Sequence, residues 1–236
     1  MLHKIYGVAL GPGDPELLTI KALNVLKEVD VIFYPGSNFN GKQKSYVYAM
    51  LEYHNLISKR LEGFFLEMSL DRTAAEQVYN DTVKKIKAEY ESGLKVAIVC
   101  EGDLSLYASF SYVLNRLKAL ELPVDLVPGV NAFSLGAAKH QIPISLLNDK
   151  VAIIPREKSI SKLEAYFQDF DTLILMKIRS SWIAIYKLLE AKQWSFYYCE
   201  RLGTNQEYIS TDLQDISKRE IPYFSLLIIK KTPKDD

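Results

Sequence analysis

The chain has 236 residues, 48% of them hydrophobic, and its 29 basic and 29 acidic side chains cancel. This length suits one large domain or two small ones and can bury roughly 70–75% of the unfolded surface without staples; the neutral balance argues against a nucleic-acid partner. Cys100 and Cys199 stand far apart in unlike surroundings, against a disulfide framework or a metal site, and no apolar run nears the ~20 residues of a membrane span.

Met1–Lys4 is followed by too few apolar residues for a signal peptide, so a soluble cytoplasmic protein with no membrane partner is expected. Ile5–Leu10 reads as a strand, and Leu18, Ala22, Val25, Leu26 and Val29 follow at helical spacing. Val31–Tyr34 is a second strand, closed by Pro35-Gly36, and Asn38–Ser45 is a polar loop expected to be mobile. A weaker helix over Tyr46–Tyr53 precedes a strand at Leu61–Met68. Ala75, Val78, Tyr79, Thr82, Val83, Ile86 and Tyr90 form one helical stripe, with Gly93 where a C-terminal cap belongs. Lys95–Cys100 is a strand, Ser105–Ala119 a helix and Pro123–Val127 a fifth strand.

Alternating strands and helices imply a mostly parallel sheet covered on both faces. After Pro128-Gly129 the pattern changes. A short helix, Asn131–His140, leads to strands at Val151–Pro155, Asp171–Ile178, Phe196–Glu200 and Tyr223–Lys231, with fewer helices between them. A second α/β domain with a mixed sheet follows from this, divided from the first as 1–122 and 123–236; the last residues, from Lys230, read as a frayed tail.

Three loops at strand ends bear on function. Gly11-Pro12-Gly13-Asp14-Pro15-Glu16 sits where a dinucleotide fold offers backbone N–H groups to a pyrophosphate, yet two prolines remove donors and two acids repel an anion. It is either a Pro-Gly turn with acids suited to a helix N-terminus, or a wall for a ligand that is not anionic. Glu101-Gly102-Asp103-Leu104-Ser105-Leu106-Tyr107 again joins glycine to acid: Asp103 could accept from an ammonium or ribose hydroxyls, or simply cap a helix. Val127-Pro128-Gly129-Val130-Asn131-Ala132 enters a helix of small residues, which permit close approach of a ligand or tight packing on a sheet.

The order of these loops resembles the tetrapyrrole (corrin/porphyrin) methylase family. "VALGPGDPELLTIKALNVLKEVDVIFYPG", "EGDLSLYASFSYV", "VPGVNAF", "LILMKI" and "IPYFSLLIIKK" carry the likeness, and the first and last resemble its branch acting at C20 of precorrin-2. The resemblance implies a two-domain α/β fold with a mostly parallel N-terminal sheet, a mixed C-terminal sheet and a cofactor cleft between them. It implies a homodimer and S-adenosylmethionine, leaving as S-adenosylhomocysteine, placed near Pro12, Gly102, Asp103, Ser105, Leu106, Tyr107, Asn131, Ala132 and Met176. Leu104 stands where the family usually has proline, and Asn131 where it has Ser or Thr.

The reaction so implied is methyl transfer to C20 of precorrin-2 or cobalt-factor II in cobalamin biosynthesis. Positioning and pocket polarity would be the protein's main contribution. No residue type singles out a base for the departing proton; Glu101, Tyr107 and Asp14 are candidates, while His3, His54 and His140 read as structural or exposed. Lys42, Lys44, Lys177, Arg179 and Arg201 are candidates to meet substrate carboxylates. Phe64, Phe65, Tyr197, Tyr198, Tyr223 and Phe224 either flank a macrocycle or fill the core. Open alternatives are another tetrapyrrole position, a protein or ribosomal RNA substrate as elsewhere in the family, and a binder without catalysis.

Overall fold

A computed structural model describes residues 4–67 and 73–231. His3, the expected strand end Met68 and the tail residues 232–236 lie outside them. The chain divides into two units, residues 1–131 and 132–236.

In the first unit β1 (Ile5–Ala9), α1 (Ile20–Glu28), β2 (Val31–Phe39), β3 (Lys42–Lys44), α2 (Val47–Tyr53), β4 (Arg60–Glu67), α3 (Thr73–Glu91), β5 (Val96–Cys100), α4 (Phe110–Ala119) and β6 (Val124–Val127) follow in order. The sheet runs β3-β2-β5-β1-β6, with β4 also paired to β2; every pairing is parallel except β2–β3. Alternation along β5 explains the layering, because successive side chains point to opposite faces. Val96 and Ile98 pack with Tyr79, Val83 and Ile86 of α3 and Phe110 and Val113 of α4. Ala97 and Val99 pack with Ala22 and Leu26 of α1 and Met50 and Leu51 of α2.

Four sequence expectations change here. β2 does not stop at Pro35-Gly36 but runs on to Phe39. Its pairing with β5 ends at Phe33, and the Pro35 carbonyl on the vacated side accepts from the Ser45 hydroxyl at 2.6 Å. The N–H that proline lacks is therefore not missed. The polar segment after it is an ordered hairpin: Phe39 pairs with Lys42 across Asn40-Gly41, whose φ values of 50° and 77° are those of a type I′ turn. The helix expected from Ser105 begins only at Phe110, for reasons that belong to the site below. The 122/123 boundary precedes β6, which pairs with β1, so the chain divides later.

The second unit comprises α5 (Ala132–Lys139), β7 (Val151–Pro155), α6 (Ile160–Asp169), β8 (Thr172–Met176), α7 (Trp182–Lys192), β9 (Ser195–Glu200), β10 (Tyr208–Ser210), α8 (Leu213–Ser217) and β11 (Ser225–Lys230). Its sheet is mixed, in the order β10-β9-β11-β8-β7, with only β7–β8 parallel. Helices α6, α7 and α8 and strand β10 were not read from the sequence. Leu163, Phe167, Leu173, Leu175, Ile185, Leu188, Leu189, Leu227 and Ile229 share one core. Beside it the buried Glu200 accepts from the Tyr198 hydroxyl at 2.6 Å and from Arg219 at 2.7 Å. Lys230 closes β11 and the Lys231 N–H donates to Asp171, so the tail is anchored this far.

Candidate functional site

Strands β5, β1 and β6 are neighbours and parallel, so the loops after Ala9, Cys100 and Val127 leave the same edge of the first sheet. In open α/β sheets this carboxyl-terminal edge is where ligands bind. The loops are tied to one another. Leu10 N–H donates to the Cys100 carbonyl at 2.9 Å; Gly11 and Gly102 exchange N–H to carbonyl bonds of 3.1 and 2.7 Å. Asp103 bridges the second and third loops: one carboxylate oxygen accepts from the Ser105 N–H and hydroxyl, the other from the Gly129 N–H at 2.8 Å. A Cβ on Gly129 would stand 2.6 Å from the Ala9 Cβ and 2.8 Å from the Gly102 carbonyl oxygen, so only glycine fits where the loops meet.

These bonds account for the polarity of the edge. The N–H groups of Gly11, Gly102 and Gly129, which a phosphate would need, are spent within the protein. Asp14 caps the short 3₁₀ turn Pro15–Leu17, accepting from the Glu16 N–H at 2.9 Å. Glu16 accepts from the Tyr53 hydroxyl, and a His54 ring nitrogen lies 2.8 Å from the Pro15 carbonyl oxygen. Burial alone would push the Asp103 carboxyl up; hydrogen bonds from Ser105, Gly129 and the Leu104 backbone outweigh it and hold the group below the usual carboxylate value. Burial pushes the Glu101 carboxyl the other way, above its ordinary value.

The same bonds explain why the helix starts late. Asp103 holds the chain at Ser105, and Tyr107 takes φ of +52°, which ends any right-handed run. Leu104 is buried in the first core, so this position anchors the loop by its side chain.

Of the cofactor-binding residues expected from the sequence, Pro12, Gly102, Asp103, Ser105, Leu106 and Tyr107 come together at this edge, with Ser105 and Tyr107 exposed and Pro12, Gly102 and Leu106 half-buried. Asn131 is half-buried at the end of the first unit. Ala132 opens α5 and Met176 closes β8, both half-buried in the second unit. The close packing expected of the small-residue helix is present: a Cβ on Gly136 would meet the Cys199 sulfur at 2.9 Å. Gly11 and Gly129, which join the loops, were not singled out from the sequence.

The remaining candidates scatter. Phe64 and Tyr198 are core residues, and the Tyr198 hydroxyl is committed to Glu200. Phe65, Tyr197, Tyr223 and Phe224 are half-buried. A His140 ring nitrogen lies 3.0 Å from the Tyr198 carbonyl oxygen, Arg179 pairs with Glu220, and Lys42 and Lys44 are exposed on the hairpin. Burial, and next the nearby Arg156, hold the Lys177 ammonium below its usual value. A cavity of about 240 Å³ in the first unit is lined by Phe33, Asn38, Gln43, Phe65, Thr82 and Lys85, among others, and by none of the loop residues.

Residues 4–217 match the family model of the Tetrapyrrole (Corrin/Porphyrin) Methylases. The chain belongs to this family. Among its relatives, the probable cobalt-precorrin-2 C(20)-methyltransferase of Methanocaldococcus jannaschii is 37% identical over 76% of this chain and 74% of its own length. The cobalt-precorrin-2 C(20)-methyltransferase of Salmonella typhimurium is 26% identical over 98% of both chains. In fold, this tetrapyrrole methylase family member is similar to the uroporphyrin-III C-methyltransferase of Thermus thermophilus solved with S-adenosylhomocysteine. The TM-score is 0.67, over 96% of this chain and 97% of that one, at 21% identity. The α/β fold with one mostly parallel and one mixed sheet is thus the fold of the family. Among the described residues no helix is long and apolar enough to cross a membrane.

Proposed function

We propose that this protein transfers the methyl group of S-adenosylmethionine to C20 of precorrin-2 or cobalt-factor II in cobalamin biosynthesis, working as a cytoplasmic homodimer. The observation that carries the reading is the family match over residues 4–217 together with relatives named for C20 methylation. The loops of the first unit fit the cofactor chemically. Their glycine N–H groups are already bonded, and their acids tolerate a cationic ligand where they would repel a phosphate.

We assign Pro12, Gly102, Ser105, Leu106 and Tyr107 to contact with the cofactor, and Asp103 to holding the loops in register, since both its oxygens are engaged. Asn131, Ala132 and Met176 are further proposed contacts. The cofactor brings an electrophilic methyl on a sulfonium centre. The chain's own residues bind, orient and exclude water, the source of most of the rate in a displacement whose carbon nucleophile is already electron-rich. Among the three candidate proton acceptors Asp14 is occupied as a cap, whereas burial raises the affinity of Glu101 for a proton. We assign Glu101 to receive the proton from C20.

The test is incubation of purified protein with S-adenosylmethionine carrying a ¹³C-methyl group and, separately, precorrin-2, cobalt-factor II and uroporphyrinogen III. A labelled methyl on C20 of either of the first two is expected. A label on uroporphyrinogen III alone would move the protein to another branch of its family. Calorimetric binding of S-adenosylhomocysteine without transfer to any acceptor would make it a binder. Sedimentation reads the oligomeric state.

A further inference from the structure

The second sheet carries a feature at its own carboxyl-terminal edge. β7 is parallel to β8, and β11 is antiparallel to both β8 and β9, so β7, β8 and β9 all run the same way. Each ends on a basic residue: Arg156 follows Pro155, Lys177 follows Met176 and Arg201 follows Glu200. The register puts them nearly level. Pro155 pairs with Met176, Leu226 pairs with both Met176 and Cys199, and Ser225 pairs with Glu200. Lys177 therefore lies level with Arg156 and with Glu200, and Arg201 one residue further along. At the usual strand spacing the first two backbones are about 5 Å apart, and the third lies about 10 Å beyond them across β11.

All three residues take left-handed backbone conformations, with φ of +55°, +56° and +47°. Non-glycine residues hold such conformations at a cost, and these collect at ligand sites. Three cations on one edge also repel one another unless an anion joins them. The neighbouring acids are committed elsewhere. Glu200 is buried against Tyr198 and Arg219, Glu157 accepts from the Lys158 and Ser159 N–H groups, and Glu207 is bound to Lys139 and the Gly203 N–H. Among the described residues no carboxylate pairs with Arg156 or Arg201, and the buried Nε of Arg201 has no hydrogen-bond partner. A buried unpaired donor of this kind calls for a partner the protein itself does not supply.

We propose that Arg156, Lys177 and Arg201 form a carboxylate-binding edge that takes the acidic side chains of the tetrapyrrole substrate. This rests on the reading given above and names the part of the second unit that meets the substrate. Planar guanidinium groups match carboxylates bidentately, and the central ammonium adds a compact charge. The carboxylate of the methionine moiety in the cofactor has the same chemistry, so the two sources are separated by experiment.

The variants Arg156→Met, Lys177→Met and Arg201→Met remove charge and keep the stem; Lys177→Arg and Arg201→Lys keep the charge. Binding of uroporphyrin I, a stable octacarboxylate, is followed by quenching of the two tryptophans, Trp182 and Trp194. Binding of S-adenosylhomocysteine is followed by calorimetry. Each Met variant is expected to weaken uroporphyrin I binding on the order of tenfold, with S-adenosylhomocysteine binding unchanged and the charge-keeping variants close to the parent. Uroporphyrin I binding unchanged in all three Met variants would overturn the proposal. So would loss of S-adenosylhomocysteine binding alone, which would give the edge to the cofactor. If the parent methylates nothing while the Met variants still lose uroporphyrin I, the edge stands and the C20 reading falls.

Discussion

The two sheets present the same kind of edge with opposite chemistry. In the first unit the strand ends give way to glycines and acids whose backbone donors are bonded to one another, and Asp103 clasps two loops. In the second unit the strand ends give way to three basic residues in left-handed conformations. One edge spends its polar groups internally and stays acidic; on the other, among the described residues, Arg156 and Arg201 have no carboxylate partner and the buried Arg201 Nε has no hydrogen-bond partner. Sheet geometry thus sets both groups of loops at carboxyl-terminal strand edges, and the residues closing each strand decide the charge of that edge.

The contrast can be broken from either side. Removing the cation that satisfies Glu200, by Arg219→Met, should have the largest effect. A carboxylate that is 2% exposed would lose its charged partner next to Arg201, at a cost of about 3 kcal/mol, visible as a lowered denaturation midpoint. On the acidic edge, Glu101→Gln should lower kcat about 100-fold, equivalent to about 2.7 kcal/mol, and leave S-adenosylhomocysteine binding intact. An unchanged kcat would remove Glu101 from the chemistry. Gly129→Ala should cost about 2 kcal/mol of stability and weaken cofactor binding, because its Cβ meets a backbone oxygen that cannot rotate away.

Asp103→Asn should cost about 1.5 kcal/mol, since an amide can accept with one atom only and would turn its NH₂ toward either the Ser105 or the Gly129 donor. It should also flatten the acid limb of stability. The folded carboxyl is held below its unfolded value, so its contribution is complete above the unfolded pKa and is lost as pH falls through the folded one. Urea midpoints between pH 3 and 6 would show this. The smallest expected effect is of salt: raising ionic strength should weaken uroporphyrin I binding more than S-adenosylhomocysteine binding, by screening the exposed Arg156 first.

The strands β1 and β5 were legible as short apolar runs, and the long helix α3 because its apolar residues follow a single helical period. The three loops were legible as a set, through a glycine at each strand end and acids in the first two. The stretch after Asp103 was misread as helix because Ser105, Leu106 and Ala108 tolerate one; what forbids it is a side chain binding the backbone and a left-handed Tyr107, neither visible as periodicity. Pro35-Gly36 was misread as a stop because only the register reveals that the pairing of β2 with β5 has already ended at Phe33. Helix α7 was missed since Trp182, Ile183, Ile185 and Tyr186 give a broadly apolar and aromatic segment without a clean stripe. Lys177 and Arg201 stood out in sequence only as lone loop cations, and Arg156 not at all. Whole helices separate them, and only the pairing of β7, β8, β11 and β9 brings them level.

Cys100 lies in the central sheet of the first unit and Cys199 in that of the second, each inaccessible to solvent, and the sequence holds no other thiol. Every unit therefore contains its own internal clock. Timed alkylation followed by mass spectrometry of the two peptides would measure how often each half of the chain breathes open, separately and without any introduced label.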